Sequence, residues 1–168
     1  MREVERVTAS SGKSLRCLPM NLDRGCLAMD LILQVVIKRG VDVVLGQEPY
    51  KVDCGFIRDR SDDKFIWLAP GVAARSIYRD RGFVAAELNG ITLVSAYFFP
   101  NESTAEFKVW LGPLEGYVSR RDSRRVLLAG DLKAKSKRFG SAVTNAYGRV
   151  LEKFLDATEL VPINTGDE

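Results

Sequence analysis

The 168 residues predict an α/β protein whose sheets are covered by helices. Three observations predict it. Short runs of β-branched and aromatic residues alternate with segments of helical spacing. Two of those runs, 41–45 and 125–129, read as buried strands, and each leads into an acidic residue, in Gly46-Gln47-Glu48-Pro49 and Gly130-Asp131. Residues 82–88 and 91–99 flank Asn89-Gly90, a dipeptide that favours a type I′ hairpin turn.

The elements follow in order. Residues 1–14 are polar and are expected to form a flexible end. Residues 15–22 read as a strand, with Pro19 marking an edge or bulge position because proline has no N–H for the ladder. From Arg24 to Arg39, apolar residues recur at 27, 28, 31, 32, 35 and 36, the spacing of a helix face. Asp23 is a candidate N-cap for this helix and Gly40 a candidate C-cap. After the first buried strand, residues 51–63 read as a surface loop and 64–70 as a strand. The hairpin ends at Pro100-Asn101-Glu102-Ser103, and Ser103 is placed to cap a helix running to Ser119. The second buried strand, a polar loop over 133–145, a helix over 146–158 and a short strand over 160–164 complete the chain. No internal repeat, low-complexity segment or interdomain linker interrupts it.

Composition removes several classes of function. No apolar run approaches the ~20 residues that cross a bilayer, and the charged start, Met1-Arg-Glu-Val-Glu-Arg-Val, is not a secretory signal. Cys17, Cys26 and Cys54 show no CxxC spacing, which fits reduced thiols in an intracellular protein. There is no histidine, so His-based zinc sites, Ser-His-Asp triads and a histidine general base are excluded within these residues. The net charge of +3 says little about a polyanionic partner, but its distribution says more. Arg120, Arg121, Arg124 and Arg125 lie on one side of Asp131, and Lys133, Lys135, Lys137 and Arg138 on the other. Such runs are either a solvated face or a phosphate-binding one.

Glu48 and Asp131 are the candidate chemical residues. Each stands at the carboxyl end of a buried strand, where ligands bind in layered α/β folds. A buried carboxylate needs a partner or a metal, and hard oxygen ligands favour Mg2+ or Mn2+ over zinc. A single acid in such a place is commonly a helix cap or loop residue; two of them, in Gln-Glu-Pro and Gly-Asp contexts, weaken that reading without removing it. Gly12-Lys13-Ser14 lacks the upstream glycine of a phosphate-binding loop and precedes a strand instead of following one. Trp67 and Trp110 read as core residues, with base stacking as the alternative.

Four segments occur in a telling order: Asn21 with its following helix, Gly46-Gln47-Glu48-Pro49-Tyr50, Val94-Ser95-Ala96-Tyr97 and Leu128-Ala129-Gly130-Asp131. In order and spacing they resemble the endonuclease/exonuclease/phosphatase superfamily. Phe139-Gly140-Ser141, Thr144-Asn145, Gly148 and Ile163-Asn164-Thr165-Gly166 are similar to the endonuclease of non-LTR retrotransposon reverse-transcriptase polyproteins. The resemblance covers residues 15–166. It implies a two-sheet sandwich flanked by helices, occupying residues 15–168 as a partial domain. It also implies DNA as partner, a nuclear location, an adjoining reverse transcriptase in the intact protein, and phosphodiester cleavage with Mg2+ or Mn2+. On this resemblance Glu48 binds the metal and Asn21 orients metal and phosphate. Tyr97 bonds a phosphate oxygen or positions the attacking water, and Asp131 orients or deprotonates that water. Lys133, Ser136, Arg138 and Ser141, in the basic loop, are candidate contacts to the phosphate backbone; solvated loop residues are the other reading.

Two departures bear on activity. The family carries Gly-Asp-X-Asn, and this chain has Gly130-Asp131-Leu132-Lys133. Asparagine both donates and accepts, whereas lysine only donates and adds a positive charge. The family also ends on Ser-Asp-His, which these residues do not contain. The expectation is a domain incomplete at its C-terminus and impaired in turnover. The alternatives are a catalytically inactive nucleic-acid-binding remnant, or a phosphatase of the same superfamily acting on a small molecule.

Overall fold

The computed structural model describes residues 4–8, 12–50, 55–99 and 101–163. The chain divides into two compact units, Met1–Tyr97 with Leu127–Gly130, and Phe98–Val126 with Asp131–Glu168.

The first unit holds two sheets. The five-stranded sheet contains β1 (Glu5–Thr8), β2 (Ser14–Asn21), β3 (Val43–Gln47), β4 (Phe56–Arg58) and β5 (Lys64–Leu68), in the order β1-β2-β3-β5-β4. The four-stranded sheet contains β6 (Ser76–Arg79), β7 (Phe83–Leu88), β8 (Ile91–Tyr97) and β9 (Val126–Asp131), in that order. Leu15, Cys17, Val43, Leu45 and Ile66 from the first sheet meet Val84, Ala86, Leu88, Leu93, Leu127 and Ala129 from the second in one apolar core. The two-sheet α/β sandwich expected from the sequence is therefore present.

Helix α1 (Cys26–Arg39) covers the other face of the five-stranded sheet. Ile32 and Val36 pack with Leu18, Leu22, Val41, Val44 and Phe65. Strand β3 is thus buried on both faces, Val43 and Leu45 toward the second sheet and Val44 toward α1. That is why it reads as an unbroken apolar run rather than an alternating one. The thiol of Cys17 lies in the core, and burial, followed by the charges of Asp42 and Glu5, pushes it up to about 12. Cys26 is exposed, and neither thiol is in a disulfide; Cys54 lies outside the described residues.

The second unit holds α2 (Thr104–Val118) and α3 (Ala146–Thr158). Phe107, Leu111, Leu114 and Val118 form the buried stripe of α2, and Leu151, Phe154 and Leu155 that of α3. Phe98, Phe107, Trp110 and Tyr147 make an aromatic cluster, with the rings of Phe107 and Trp110 stacked at 5.9 Å. Trp110 is thereby a packing residue.

Several expectations are corrected. Residues 5–8 are not a free end; they pair antiparallel with β2, from Glu5 opposite Cys17 to Thr8 opposite Ser14. That pairing ends at Cys17, so Pro19 stands where β2 has a described neighbour on one side only, opposite Leu45. Asp23 is not the N-cap of α1: it and Arg24 adopt left-handed backbone (φ 47° and 51°), and the cap is Gly25. Leu27 and Leu31 are exposed, and the buried stripe runs through Ile32 and Val36. The expected loop at 51–63 contains β4, and β6, with all four residues exposed, carries no pattern that predicts a strand. Residues 160–163 form no strand. Asn164, Thr165, Gly166 and Pro100 lie outside the described residues. The hairpin, the Ser103 cap, Gly40 (φ 58°) and α3 stand where the sequence placed them. Asn89 and Gly90 both have positive φ, as a type I′ turn requires.

Candidate catalytic site

In the first unit the site begins where two parallel strands end together. Asn21, the last residue of β2, lies opposite Gln47, the last of β3. Beyond the strands the two chains stay joined: the Leu22 N–H donates to the Gln47 carbonyl at 2.9 Å, and the Arg24 N–H to the Glu48 carbonyl at 2.9 Å. The left-handed residues Asp23 and Arg24 make this return possible. Glu48 is itself left-handed at φ 51°, a conformation that costs a non-glycine residue roughly 1–2 kcal/mol. Its N–H donates to the carbonyl of Asp63 at 2.8 Å.

Asn21 uses both ends of its amide. Its Nδ2 donates to Glu48 Oε2 at 2.9 Å, and its Oδ1 accepts the Asp23 N–H at 2.9 Å. The amide is pinned by the turn and in turn orients the carboxylate. Gln47 is fully buried; its Nε2 donates to Ser95 Oγ at 2.9 Å, and Ser95 Oγ donates to the Gly46 carbonyl at 2.9 Å. This stitches β3 to β8 directly beneath Glu48. The Gln47 Oε1 is a buried acceptor with no partner among the described residues.

Tyr97 ends β8 and is 3% exposed. Its N–H donates to the Gly82 carbonyl at 3.3 Å, and the ammonium of Lys64 lies 6.0 Å from its ring centre. Lys64 is buried in a pair with Asp59 at 3.1 Å. Neither was singled out from the sequence. The one signal was a lysine opening the apolar strand Lys64-Phe-Ile-Trp-Leu68, a position that ordinarily faces solvent.

In the second unit Asp131 is half-buried, and its backbone carbonyl accepts the Phe98 N–H at 3.2 Å. Lys133, in left-handed backbone (φ 51°), turns back on it. Its N–H reaches Asp131 Oδ1 at 3.2 Å and its ammonium Oδ2 at 2.5 Å. Asn145 organises the loop that follows. Its Oδ1 accepts the N–H groups of Gly148 and Lys135 at 2.7 and 3.1 Å, and its Nδ2 donates to the Lys133 carbonyl at 3.1 Å. Gly148 is required by this packing, since a Cβ there would lie 1.9 Å from the Lys135 carbonyl oxygen.

The other loop candidates divide. Ser136 is fully buried, its hydroxyl bonded to Glu152 and to the Arg138 N–H, so it anchors the loop and has no surface for a substrate. This corrects its reading as a phosphate contact. Arg138 is exposed and pairs with Asp156 at 2.6 Å. Ser141 is half-buried, its N–H on the Ser136 carbonyl at 3.0 Å.

Among the described residues no group of three His, Cys, Asp or Glu side chains is arranged to hold a metal. Mg2+ commonly binds through one or two carboxylates, keeps several waters and takes substrate phosphates as ligands. The hard-oxygen pair of Glu48 and Asn21 fits that open kind of site. No helix of the described residues is long and apolar enough to cross a membrane.

No family model matches the chain, and neither does any curated protein. A solved structure does: the endonuclease domain of TRAS1, a telomere-specific non-LTR retrotransposon, is similar with a TM-score of 0.76 and 26% identity. The match covers 92% of this chain and 75% of that one. The architecture of this chain is one it shares with a non-LTR retrotransposon endonuclease domain, as the ordered sequence motifs imply.

Proposed function

We propose that the chain is an endonuclease domain that hydrolyses DNA phosphodiesters with Mg2+ or Mn2+, at a rate held down by Lys133. The observation that carries the reading is the Asn21–Glu48 pair, two oxygen-bearing side chains clamped at the carboxyl ends of β2 and β3, in a fold shared with the TRAS1 endonuclease domain. Glu48 holds the ion and Asn21 keeps its carboxylate in place. A bound divalent cation supplies stabilisation of negative charge on the phosphoryl oxygens. Tyr97 bonds a phosphate oxygen, or positions the water. Asp131 orients or deprotonates the attacking water, while Lys133, Arg138 and Ser141 contact the phosphate backbone.

Lys133 works against this. Its ammonium bonds Asp131 Oδ2, and its positive charge makes that carboxylate a weaker acceptor for a water proton. An asparagine there has no charge to hold the carboxylate. Nicking of supercoiled DNA with Mg2+ tests the reading. Lys133→Asn is expected to raise the rate about tenfold or more, roughly 1.4 kcal/mol of barrier, and Glu48→Ala to abolish nicking in either background. Nicking undiminished by Glu48→Ala would overturn it.

The Lys133–Asp131 pair also favours a second reading, a nucleic-acid-binding module without hydrolysis. Duplex binding by both the parent and Lys133→Asn, with nicking by neither, selects it.

A further inference from the structure

We propose that the buried Asp59–Lys64 pair is a positioning device that fixes the backbones of Glu48 and Tyr97 from within the first unit. Its functional consequence rests on the reading of those two residues as parts of a site.

The side chains of Asp59 and Lys64 are 0% and 1% exposed. The Lys64 ammonium donates to Asp59 Oδ2 at 3.1 Å, Ser61 Oγ at 3.0 Å and the Arg81 carbonyl at 2.8 Å. The Asp59 carboxylate is equally engaged. Its Oδ1 accepts the N–H groups of Asp63 and Lys64 at 3.1 and 3.2 Å, and its Oδ2 the Ser61 hydroxyl. The turn between β4 and β5 is therefore tied to one carboxylate along its length.

That turn reaches Glu48. The Asp63 carbonyl is the acceptor for the Glu48 N–H, at the residue whose backbone is left-handed. On the other side Lys64 grips the Arg81 carbonyl, and the next carbonyl, of Gly82, accepts the Tyr97 N–H. The Arg60 N–H adds a second tie, to the Asp80 carbonyl at 3.2 Å. One ion pair thus stands between the backbone anchor of Glu48 and that of Tyr97, and joins the turn of one sheet to the turn of the other. Its ammonium also lies 6.0 Å from the Tyr97 ring centre.

A buried ion pair is a poor way to gain stability, since an apolar pair of like volume often does as well or better. What it supplies is direction. Lys64 Nζ and the Asp59 carboxylate bond to groups on both turns, so neither turn shifts without breaking several charge-assisted bonds.

Amide exchange by NMR on the full chain tests the proposal, with Leu93 in β8 as the internal reference. The neutral pair Asp59→Asn with Lys64→Gln leaves no unpaired buried charge. It is expected to melt cooperatively while the Glu48 and Tyr97 amides exchange about tenfold faster relative to Leu93, by local opening. Mn2+ binding, read from the free-ion EPR signal, is expected to weaken by a similar factor of about ten. If the neutral pair does not fold, Lys64→Arg gives the same readout, because a planar guanidinium does not place three bonds on one nitrogen. Unchanged exchange at Glu48 and Tyr97, or an equal rise at Leu93, overturns the proposal. Mn2+ binding absent from the parent, or unaffected by Glu48→Ala, overturns instead the metal reading of Glu48, and the exchange result still decides the brace.

Discussion

At the scale of single residues, close approach and backbone conformation set what each position tolerates. Gly130 precedes Asp131 and lies against β8: a Cβ there would sit 2.3 Å from the Ala96 carbonyl oxygen and 3.0 Å from its carbon. These are backbone atoms and do not yield. The expected outcome of Gly130→Ala is a loss of about 1–3 kcal/mol, the usual range for overpacking, measured as a lower urea midpoint with an unchanged slope. Gly-Asp was read from the sequence as a chemical motif, and its glycine turns out to have a packing reason of its own. The strand-end positions of Asn21 and Glu48 were legible because an apolar run precedes each. Asp59 and Lys64 were not, because nothing local distinguishes a lysine that opens a buried strand from one that frays into water. Ser136 was misread for the converse reason: a hydroxyl in a basic loop suggests a phosphate, and only the fold brings Glu152 to it.

At the scale of elements, α2 shows a helix start whose chemistry is complete. The Ser103 Oγ accepts the Glu106 N–H at 3.2 Å, and the Glu106 carboxylate accepts the Ser103 N–H at 2.5 Å. This capping box satisfies two otherwise orphaned donors. Ser103→Ala is expected to cost about 1 kcal/mol, measured by denaturant melt. The backbone bond from Ser103, then its side-chain bond, hold the Glu106 carboxyl below its ordinary 4.5. Because the folded value is the lower one, the contribution of the box is complete above 4.5 and is lost as pH falls through the folded value. A stability difference between parent and Glu106→Gln that persists at neutral pH and shrinks only below 4.5 is the expected signature. The cap was visible in the sequence because it is local. Strand β6 was not, because Ser76-Ile-Tyr-Arg79 is an exposed edge whose strand character comes from its pairing with β7. The misplaced cap of α1 has a different cause. Asp23 has the chemistry of an N-cap, but its backbone is used for the turn that brings Asn21 onto Glu48. Local rules fail where a tertiary contact needs the chain to do something else.

At the scale of the whole molecule, the net charge of +3 understates and the basic clusters overstate the charge offered to a polyanion. Arg124 and Arg125 share Asp122, Lys133 pairs with Asp131, and Arg138 with Asp156. Arg121 stacks on the Tyr117 ring at 3.4 Å. Exposed ion pairs contribute only about 0–1 kcal/mol each, so a phosphate displaces the acid readily, but each displacement lowers the net gain. If DNA is the partner, duplex affinity is expected to fall steeply between about 50 and about 300 mM salt, with Lys135→Ala or Lys137→Ala each flattening the log–log slope by about 0.9. Filter binding across that range checks it; a slope near zero removes the nucleic-acid reading. The sandwich itself was legible as a class because its buried strands and its hairpin are compositionally distinct.

The left-handed backbone at Glu48 has a consequence for how such a chain changes over generations. Glycine adopts that conformation without a Cβ clash, and a glutamate codon becomes a glycine codon by one base change. Relief of the left-handed backbone then works against the carboxylate, and the bond from Asn21 works for it. A lineage that keeps glutamate at this position forgoes a relaxed backbone there, and whether relatives keep it bears directly on the role proposed for Glu48.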